Sequence, residues 1–370
     1  MNKIGLYIHV PFCDGKCPYC DFYSIHGTQE RMDDYTECII RQLIYKSEQY
    51  KCEADTLYFG GGTPSLLGAK RIIRIVETAR SCYGLENAEI TVEANPGQEL
   101  SDFFREIRAV GVNRLSLGMQ SAQDEELRLL GRRHTAEQAV RCVEQARAAG
   151  FENISLDLML AIQGQTEESL RRSIQFCARA GAEHVSAYLL KIEPGTAYFK
   201  NRSNLRIPDE DTAAALYLLA CEELENSGYR QYEISNFAKD GYQSRHNLKY
   251  WHCEEYLGFG PAAHSFYRGK RFSVPKSIGA FLRNEPPVPE GDGGSFEEFA
   301  MLALRLTEGL TDVRCAERFG YPVPQRIKSA AQRYQSAGLT ECTADGFHFT
   351  PRGFLVSNAL TAEIIYSSNQ

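Results

Sequence analysis

The chain has no run of about 18 consecutive apolar residues, the length a helix needs to cross a bilayer, so no membrane span is expected. It has no excess of positive charge either. Against 41 Lys and Arg stand 48 Asp and Glu, a formal net charge of -7. Nonspecific nucleic-acid binding depends on clustered positive charge, so this balance argues against nucleic acid as a partner. The opening "MNKIGLYIHVPFC" does not have the layout of a secretory signal, because a short strand-like apolar run meets Pro and Cys at once. A cytoplasmic protein is expected. Disulfides are not, because a reducing compartment keeps thiols free.

Of the 12 cysteines, nine are scattered through amphipathic patterns: Cys38, Cys52, Cys82, Cys142, Cys177, Cys221, Cys253, Cys315 and Cys342. Each is expected to be a small buried or half-buried side chain. The other three, Cys13, Cys17 and Cys20, fall within eight positions of "HVPFCDGKCPYCDFYS" and need a separate explanation.

A hydrophobic fraction of 43% in 370 residues can fill large cores, and the length suggests a large domain with a smaller one, or two domains. Strands are predicted at 5–10, 56–60, 89–93, 113–117, 154–160 and 184–190, with a weaker one at 230–235. Segments with helical spacing lie between them. In "TAEQAVRCVEQARAAGF", Thr135 and Gln138 make a capping box, Ala139, Val140, Val143 and Ala146 repeat on one face, and Gly150 ends the helix. "TEESLRRSIQFCARAG" repeats the plan, with Thr166 as cap and Gly181 as stop. Strands alternating with helices imply βαβ units on a parallel sheet. The fold class is therefore α/β, a full or partial (β/α) barrel over residues 1–240, with an open doubly wound sheet as the alternative.

The alternation stops near residue 240. Residues 241–295 are expected to hold a separate segment and a linker, "NEPPVPEGDGGS" at 284–295. Residues 296–370 are expected to form a smaller α+β module, helices followed by a hairpin at Asp345-Gly346, like a winged helix. That module carries seven Lys and Arg against eight Asp and Glu, which does not suit DNA.

Thiolates favour zinc, copper(I) or iron–sulfur clusters. A structural zinc site takes four protein ligands, and three cysteines would need His9 or His26 to complete it. A cubane cluster bound by three thiolates instead leaves one iron open to a small molecule. C-x3-C-x2-C on the loop after a first strand resembles the radical S-adenosylmethionine (SAM) superfamily. The resemblance implies a [4Fe-4S] cluster on Cys13, Cys17 and Cys20, with SAM chelating the fourth iron. "YFGGGTPS" would then wall the SAM amino-acid end with Gly61, Gly62 and Thr63. "VEANP", "LGMQS" and "LDLML" would bring Glu93, Gln120 and Asp157 to the catalytic face, and "LGRRH" would bring Arg132. Tyr7 and Tyr19 occupy positions that similar proteins use against the SAM amino acid and adenine.

Within that superfamily, "LYIHVPFCDGKCPYCDF", "GGGTPS", "EANP", "RLSLGMQS" and "LGRRH" resemble the group of oxygen-independent coproporphyrinogen III oxidases and HemW-type heme chaperones. The oxidase pattern places a fourth cysteine where this chain has Phe22, and "HNLKYW" matches the HNxxYW motif of the chaperone type. The resemblance therefore implies heme as a further ligand, with His246, Tyr250 and Trp251 as its contacts, and heme-accepting proteins as partners. The alternative for the same motif is structural, with the two aromatics closing the barrel mouth and His246 hydrogen-bonded to a carbonyl. A radical SAM enzyme, either an anaerobic oxidase or a methyltransferase or cyclase, is the alternative function. A dimer is among the states the sequence allows. One departure stands out. Ala161 and Gln163 in "DLMLAIQGQT" replace a Gly and a Pro, while Asp157 and Gln165 remain.

Overall fold

In the computed structural model, which describes residues 3–366, six parallel strands form where the apolar runs place them. They are β1 (Ile4–Val10), β2 (Ala54–Gly61), β3 (Glu89–Ala94), β4 (Arg114–Gln120), β5 (Ile154–Leu160) and β6 (His184–Leu189). Each pairs in parallel with the next. Side chains alternate across a strand, and the sequence uses that period to divide the sheet. Leu6, Ile8, Leu57, Phe59, Ile90, Val92, Leu115, Leu117, Leu156 and Leu158 are buried in the apolar core. The intervening positions are Tyr7, His9, Tyr58, Thr91, Glu93, Arg114, Ser116, Ser155, Asp157, His184 and Ser186. These build a polar interior.

The connecting helices begin where the sequence places caps. Thr135 and Gln138 form a reciprocal box at the start of helix Ala136–Ala148. Thr166 and Ser169 do the same for Glu167–Arg179. The buried face of the first helix is Ala139, Cys142, Val143 and Ala146, so Cys142 takes the place expected of Val140.

The weaker run at 230–235 does not extend the parallel series. It forms β7 (Arg230–Glu233), which turns into β8 (Asn236–Ala238). β8 lies between β6 and β7 and is antiparallel to both. On the opposite flank, β9 (Tyr256–Phe259) pairs in parallel with β1. It is followed by antiparallel β10 (His264–Tyr267), β11 (Lys270–Ser273) and β12 (Val288–Asp292). The order β12-β11-β10-β9-β1-β2-β3-β4-β5-β6-β8-β7 leaves two edges, so the α/β sheet is a partial barrel. The expected linker at 284–295 contains β12. Pro289 and Gly291 hid it, but proline is tolerated on an edge strand, and β12 is one.

The smaller C-terminal unit packs helices Phe296–Ala303, Asp312–Phe319 and Gln325–Gln332 against a three-stranded antiparallel sheet. Its strands are β13 (Leu310–Thr311), β14 (Thr340–Cys342) and β15 (Gly346–Phe349), in the order β13-β15-β14. β14 and β15 pair across the Asp345-Gly346 turn. Backbone hydrogen bonds help to attach the unit to the barrel. The Ile234 amide donates to the Arg305 carbonyl at 3.0 Å and the Thr307 amide to that of Tyr232 at 3.1 Å. One continuous apolar core runs from Ile4 to Ile365. Among the described residues no helix is long and apolar enough to cross a membrane.

Candidate functional site

A cavity of about 510 Å³ opens at the C-terminal ends of the parallel strands. Cys13, Cys17, Cys20, Tyr19, Gly61, Gly62, Thr63, Glu93, Gln120, Arg132 and Asp157 all line it. Tyr7, His246, Tyr250 and Trp251 do not.

The cysteine loop leaves β1 and is closed at its base. The Cys13 amide donates to the Ile25 carbonyl at 3.0 Å, and the Ile25 amide to that of Pro11 at 2.7 Å. All three thiols are half-buried and free. Donors approach two of them, the Thr63 hydroxyl at 3.5 Å from Cys13 Sγ and the Arg132 guanidinium at 3.6 Å from Cys17 Sγ. These contacts suit sulfur as an acceptor. Burial pushes the Cys20 thiol upward, so a bound metal would have to offset that to hold it as thiolate. A Cys3His zinc site through His9 does not fit, because its Nδ1 lies 3.2 Å from the Tyr7 hydroxyl and its Nε2 3.0 Å from the Tyr23 carbonyl. Among the described residues no three His, Cys, Asp or Glu side chains converge on one ion. A cluster would spread the three thiolates over separate irons, and the loop around an open cavity fits that demand.

The glycines act first on their own chain. A Cβ at Gly62 would lie 2.5 Å from the Phe12 carbonyl oxygen and 2.9 Å from that of Val10. At Gly61, whose φ is +110°, it would meet the His9 ring at 2.6 Å. Without side chains, the Gly62 amide reaches Val10 O at 2.8 Å and the Thr63 amide reaches Phe12 O at 2.7 Å. The close approach joins the cysteine loop to the β2 turn.

Asn95 links the two halves of this wall. Its amide nitrogen donates to Thr63 Oγ1 at 3.0 Å, and its oxygen accepts from Arg132 Nη2 at 2.6 Å. Arg132 also donates to the Gly118 carbonyl at 2.6 Å. Farther in are two carboxyls. Glu93 accepts from the Tyr58 hydroxyl at 2.8 Å and the Gly61 amide at 3.2 Å. Asp157 accepts from the Ser116 hydroxyl at 3.2 Å. Burial raises both, Glu93 to about 7 and Asp157 to about 6, and each would be held ionised by a cationic ligand. Gln120 ends β4 with φ +71°, and Tyr19 packs edge-on against Tyr198 at 6.2 Å. Phe22 stands 63% exposed at the mouth.

The loop after β5 keeps its turn despite the departures. Ala161 adopts φ +57°, the left-handed region where glycine is relaxed. The Gln165 side chain fixes it, accepting from the Ala161 amide at 2.7 Å and donating to the Met159 carbonyl at 3.0 Å.

The HNLKYW residues lie at the other end of the barrel, on helix Arg245–Trp251, against the first residues of β2 and β3. His246 is 1% exposed. Its Nδ1 pairs with the Thr56 hydroxyl at 2.8 Å and its Nε2 with the Tyr250 hydroxyl at 2.7 Å. Burial, with Lys249 and Arg114 nearby, lowers its pKa to about 3, so the ring is neutral. Both nitrogens are engaged by side-chain hydroxyls, in place of the carbonyl bond expected of a structural role. Trp251 lies under the Arg305 guanidinium, 4.3 Å from its ring centre. Tyr7 stands between the two ends and points its hydroxyl to His9.

Asn95, Tyr58 and Ser116 escaped the motif reading. Tyr58 and Ser116 belong to the polar alternation along the strands, a signal present in the sequence. Asn95 sits inside the quoted "VEANP", and its role needed the fold.

The Radical SAM superfamily model matches residues 7–177, and the HemN C-terminal domain model matches 296–356. Heme chaperone HemW of Bacillus subtilis is 33% identical over 365 residues, covering 95% of this chain and 96% of that protein. The Escherichia coli heme chaperone HemW is 35% identical, covering 97% of each. A mouse protein, radical S-adenosyl methionine domain-containing protein 1, mitochondrial, is 38% identical over 84% of this chain and 67% of its own length. Coproporphyrinogen III oxidase (HemN) from Escherichia coli superposes with a TM-score of 0.82 at 20% identity, over 99% of this chain and 90% of that one, which establishes a shared fold. Fold and cavity thus define a radical SAM scaffold. Within it, the chain belongs to the HemW family.

Proposed function

We propose that the chain is a cytoplasmic heme chaperone. It would carry a [4Fe-4S] cluster on Cys13, Cys17 and Cys20 and SAM in the adjoining cavity, and pass heme to acceptor proteins. The observation that supports this best is near-full-length similarity to proteins named heme chaperone HemW, in a chain whose cluster-type cysteines line a single cavity. Thr63 and Arg132 would hold the cluster thiolates, Glu93 and Asp157 would face the cationic groups of SAM, and Gly61, Gly62, Gln120 and Tyr19 would complete its walls. Tyr7 would support that wall from beneath through His9. The cluster supplies an open iron that a small chelating ligand can occupy. Residues 1–240 would form the SAM unit, 241–295 would carry the HNLKYW segment, and 296–370 would form the smaller C-terminal module.

His246, Tyr250 and Trp251 are the proposed heme contacts. In the arrangement seen, His246 can ligate iron only by releasing Thr56 or Tyr250, so heme loading requires helix Arg245–Trp251 to shift. Anaerobically reconstituted protein is expected to bind about four irons and about one heme, and to lose heme faster to an apo-acceptor than to a passive scavenger. Failure to bind heme with and without the cluster would remove the chaperone reading. The match to the Radical SAM superfamily model keeps a radical enzyme as the second reading. With Phe22 in place of a fourth cysteine, no conversion of coproporphyrinogen III is expected, and turnover would reverse the assignment.

A further inference from the structure

A column of aromatic rings connects the HNLKYW helix to the cavity. The His246 ring stacks 5.2 Å from that of Tyr58 at 27° and 6.3 Å from that of Tyr7 at 28°. The Tyr7 and Tyr58 rings lie 6.2 Å apart. The lower end is pinned twice. Thr56 and Tyr250 hold the imidazole, and the backbone amides of Arg245 and His246 donate to the Glu89 carboxylate, each at 3.0 Å. The upper end leaves the column through the Tyr58 hydroxyl, which donates to Glu93 Oε1. Glu93 Oε2 accepts from the Gly61 amide in the cavity wall. The junction is tight. A Cβ at Gly60 would lie 2.9 Å from the Tyr58 ring, 3.0 Å from Glu93 Oε1 and 3.2 Å from the Tyr7 ring.

We propose that Tyr58 is a positioning residue for Glu93, and that it couples the packing of His246 to the binding of SAM in the cavity. Among the described residues the Glu93 carboxyl has one side-chain donor, Tyr58, to set its direction, and a buried acceptor follows its donors. The Tyr58 ring in turn rests on His246, and close-packed rings do not move singly. A ligand that draws His246 out of the column therefore frees Tyr58 to turn, and Glu93 loses its side-chain donor and keeps only the Gly61 amide. Linkage makes the effect reciprocal: SAM, by fixing Glu93, resists displacement of His246.

The SAM arm of this inference rests on the proposed function, and its test separates the two. SAM affinity would be measured by equilibrium dialysis on cluster-loaded wild type, Tyr58→Phe, His246→Ala and the double variant. Hydrogen exchange at the Gly61 amide would be measured on the ligand-free forms. Tyr58→Phe keeps the ring and removes the donor. It is expected to weaken SAM about tenfold, the scale of a hydrogen bond to a charged group, and to speed Gly61 exchange. His246→Ala should weaken SAM although it lies outside the cavity, and the double variant should be no worse than Tyr58→Phe. If His246→Ala does not fold, Thr56→Val loosens the same ring by removing one hydrogen bond and is expected to weaken SAM by a smaller factor. Unchanged Gly61 exchange in Tyr58→Phe, or strictly additive losses of SAM affinity, would overturn the coupling. Wild type that never binds SAM would overturn the proposed function instead, and Gly61 exchange would still decide the Tyr58–Glu93 link.

Discussion

Removing the Asn95 side chain should be felt at both Cys13 and Cys17, because it joins Thr63 to Arg132 and these two approach the thiols. Asn95→Ala is expected to retain less iron after anaerobic reconstitution and to lose about 1–2 kcal/mol of stability, read from metal analysis and urea midpoints. Gly62→Ala should be worse, by about 2–3 kcal/mol, because the new methyl meets two backbone carbonyls that cannot rotate away. The acids predict a pH response. Glu93 is raised from 4.5 to about 7 by burial, so folding favours its protonated form. Its contribution is present below 4.5 and is lost as pH rises to about 7. The ligand-free protein should therefore melt lower as pH rises through that window, and Glu93→Gln should flatten the slope. Asp157, raised from 3.8 to about 6, and His252, raised above 6.5 between Glu254 and Glu308, also lose stability as pH rises, so Asp157→Asn and His252→Gln separate their shares from that of Glu93.

At the scale of elements, the helix Arg245–Trp251 closes the lower end of the barrel because the buried Glu89 carboxylate accepts its first two amides. Glu89→Gln replaces one acceptor by an NH2 facing an N–H. It should cost about 2 kcal/mol and raise hydrogen exchange in that helix selectively. How much of this was legible varies with the range of the interaction. The capping boxes at Thr135 and Thr166 were readable because cap and partner are three residues apart. The six parallel strands were readable from apolar runs, and the cavity from motifs that end them. The position of the HNLKYW helix was not, because its anchors are Thr56 and Glu89, far away in sequence. β9 was hidden for the same reason, since it joins β1 only through the completed sheet. The β7–β8 hairpin was not legible at the weaker run 230–235, because a short apolar run carries no sign of strand direction.

For the whole molecule, the decisive feature is that the core does not divide at residue 296. Phe299, Ala303 and Ile364 belong to the same apolar cluster as Ile4 and Leu57. The C-terminal unit also hydrogen-bonds its 305–307 segment to the β7 region, through Tyr232 and Ile234. The expectation is one cooperative unfolding transition, with calorimetric and van't Hoff enthalpies in agreement. Two resolved transitions would show that the units fold apart. A chain ending at residue 295 should lose cooperativity, because its core would lose Phe299 and the Arg305 cover of Trp251.

Trp251 is the sole indole of the chain. All tryptophan fluorescence therefore originates at one seam, where the barrel's closing helix meets Arg305 of the C-terminal unit. Its Nε1 is buried and has no hydrogen-bond partner among the described residues. Opening of that seam would give the indole nitrogen its first contact with water and move the emission to longer wavelength, whichever ligand had caused the movement. The protein thus carries an intrinsic optical gauge of the joint between the barrel and the C-terminal unit.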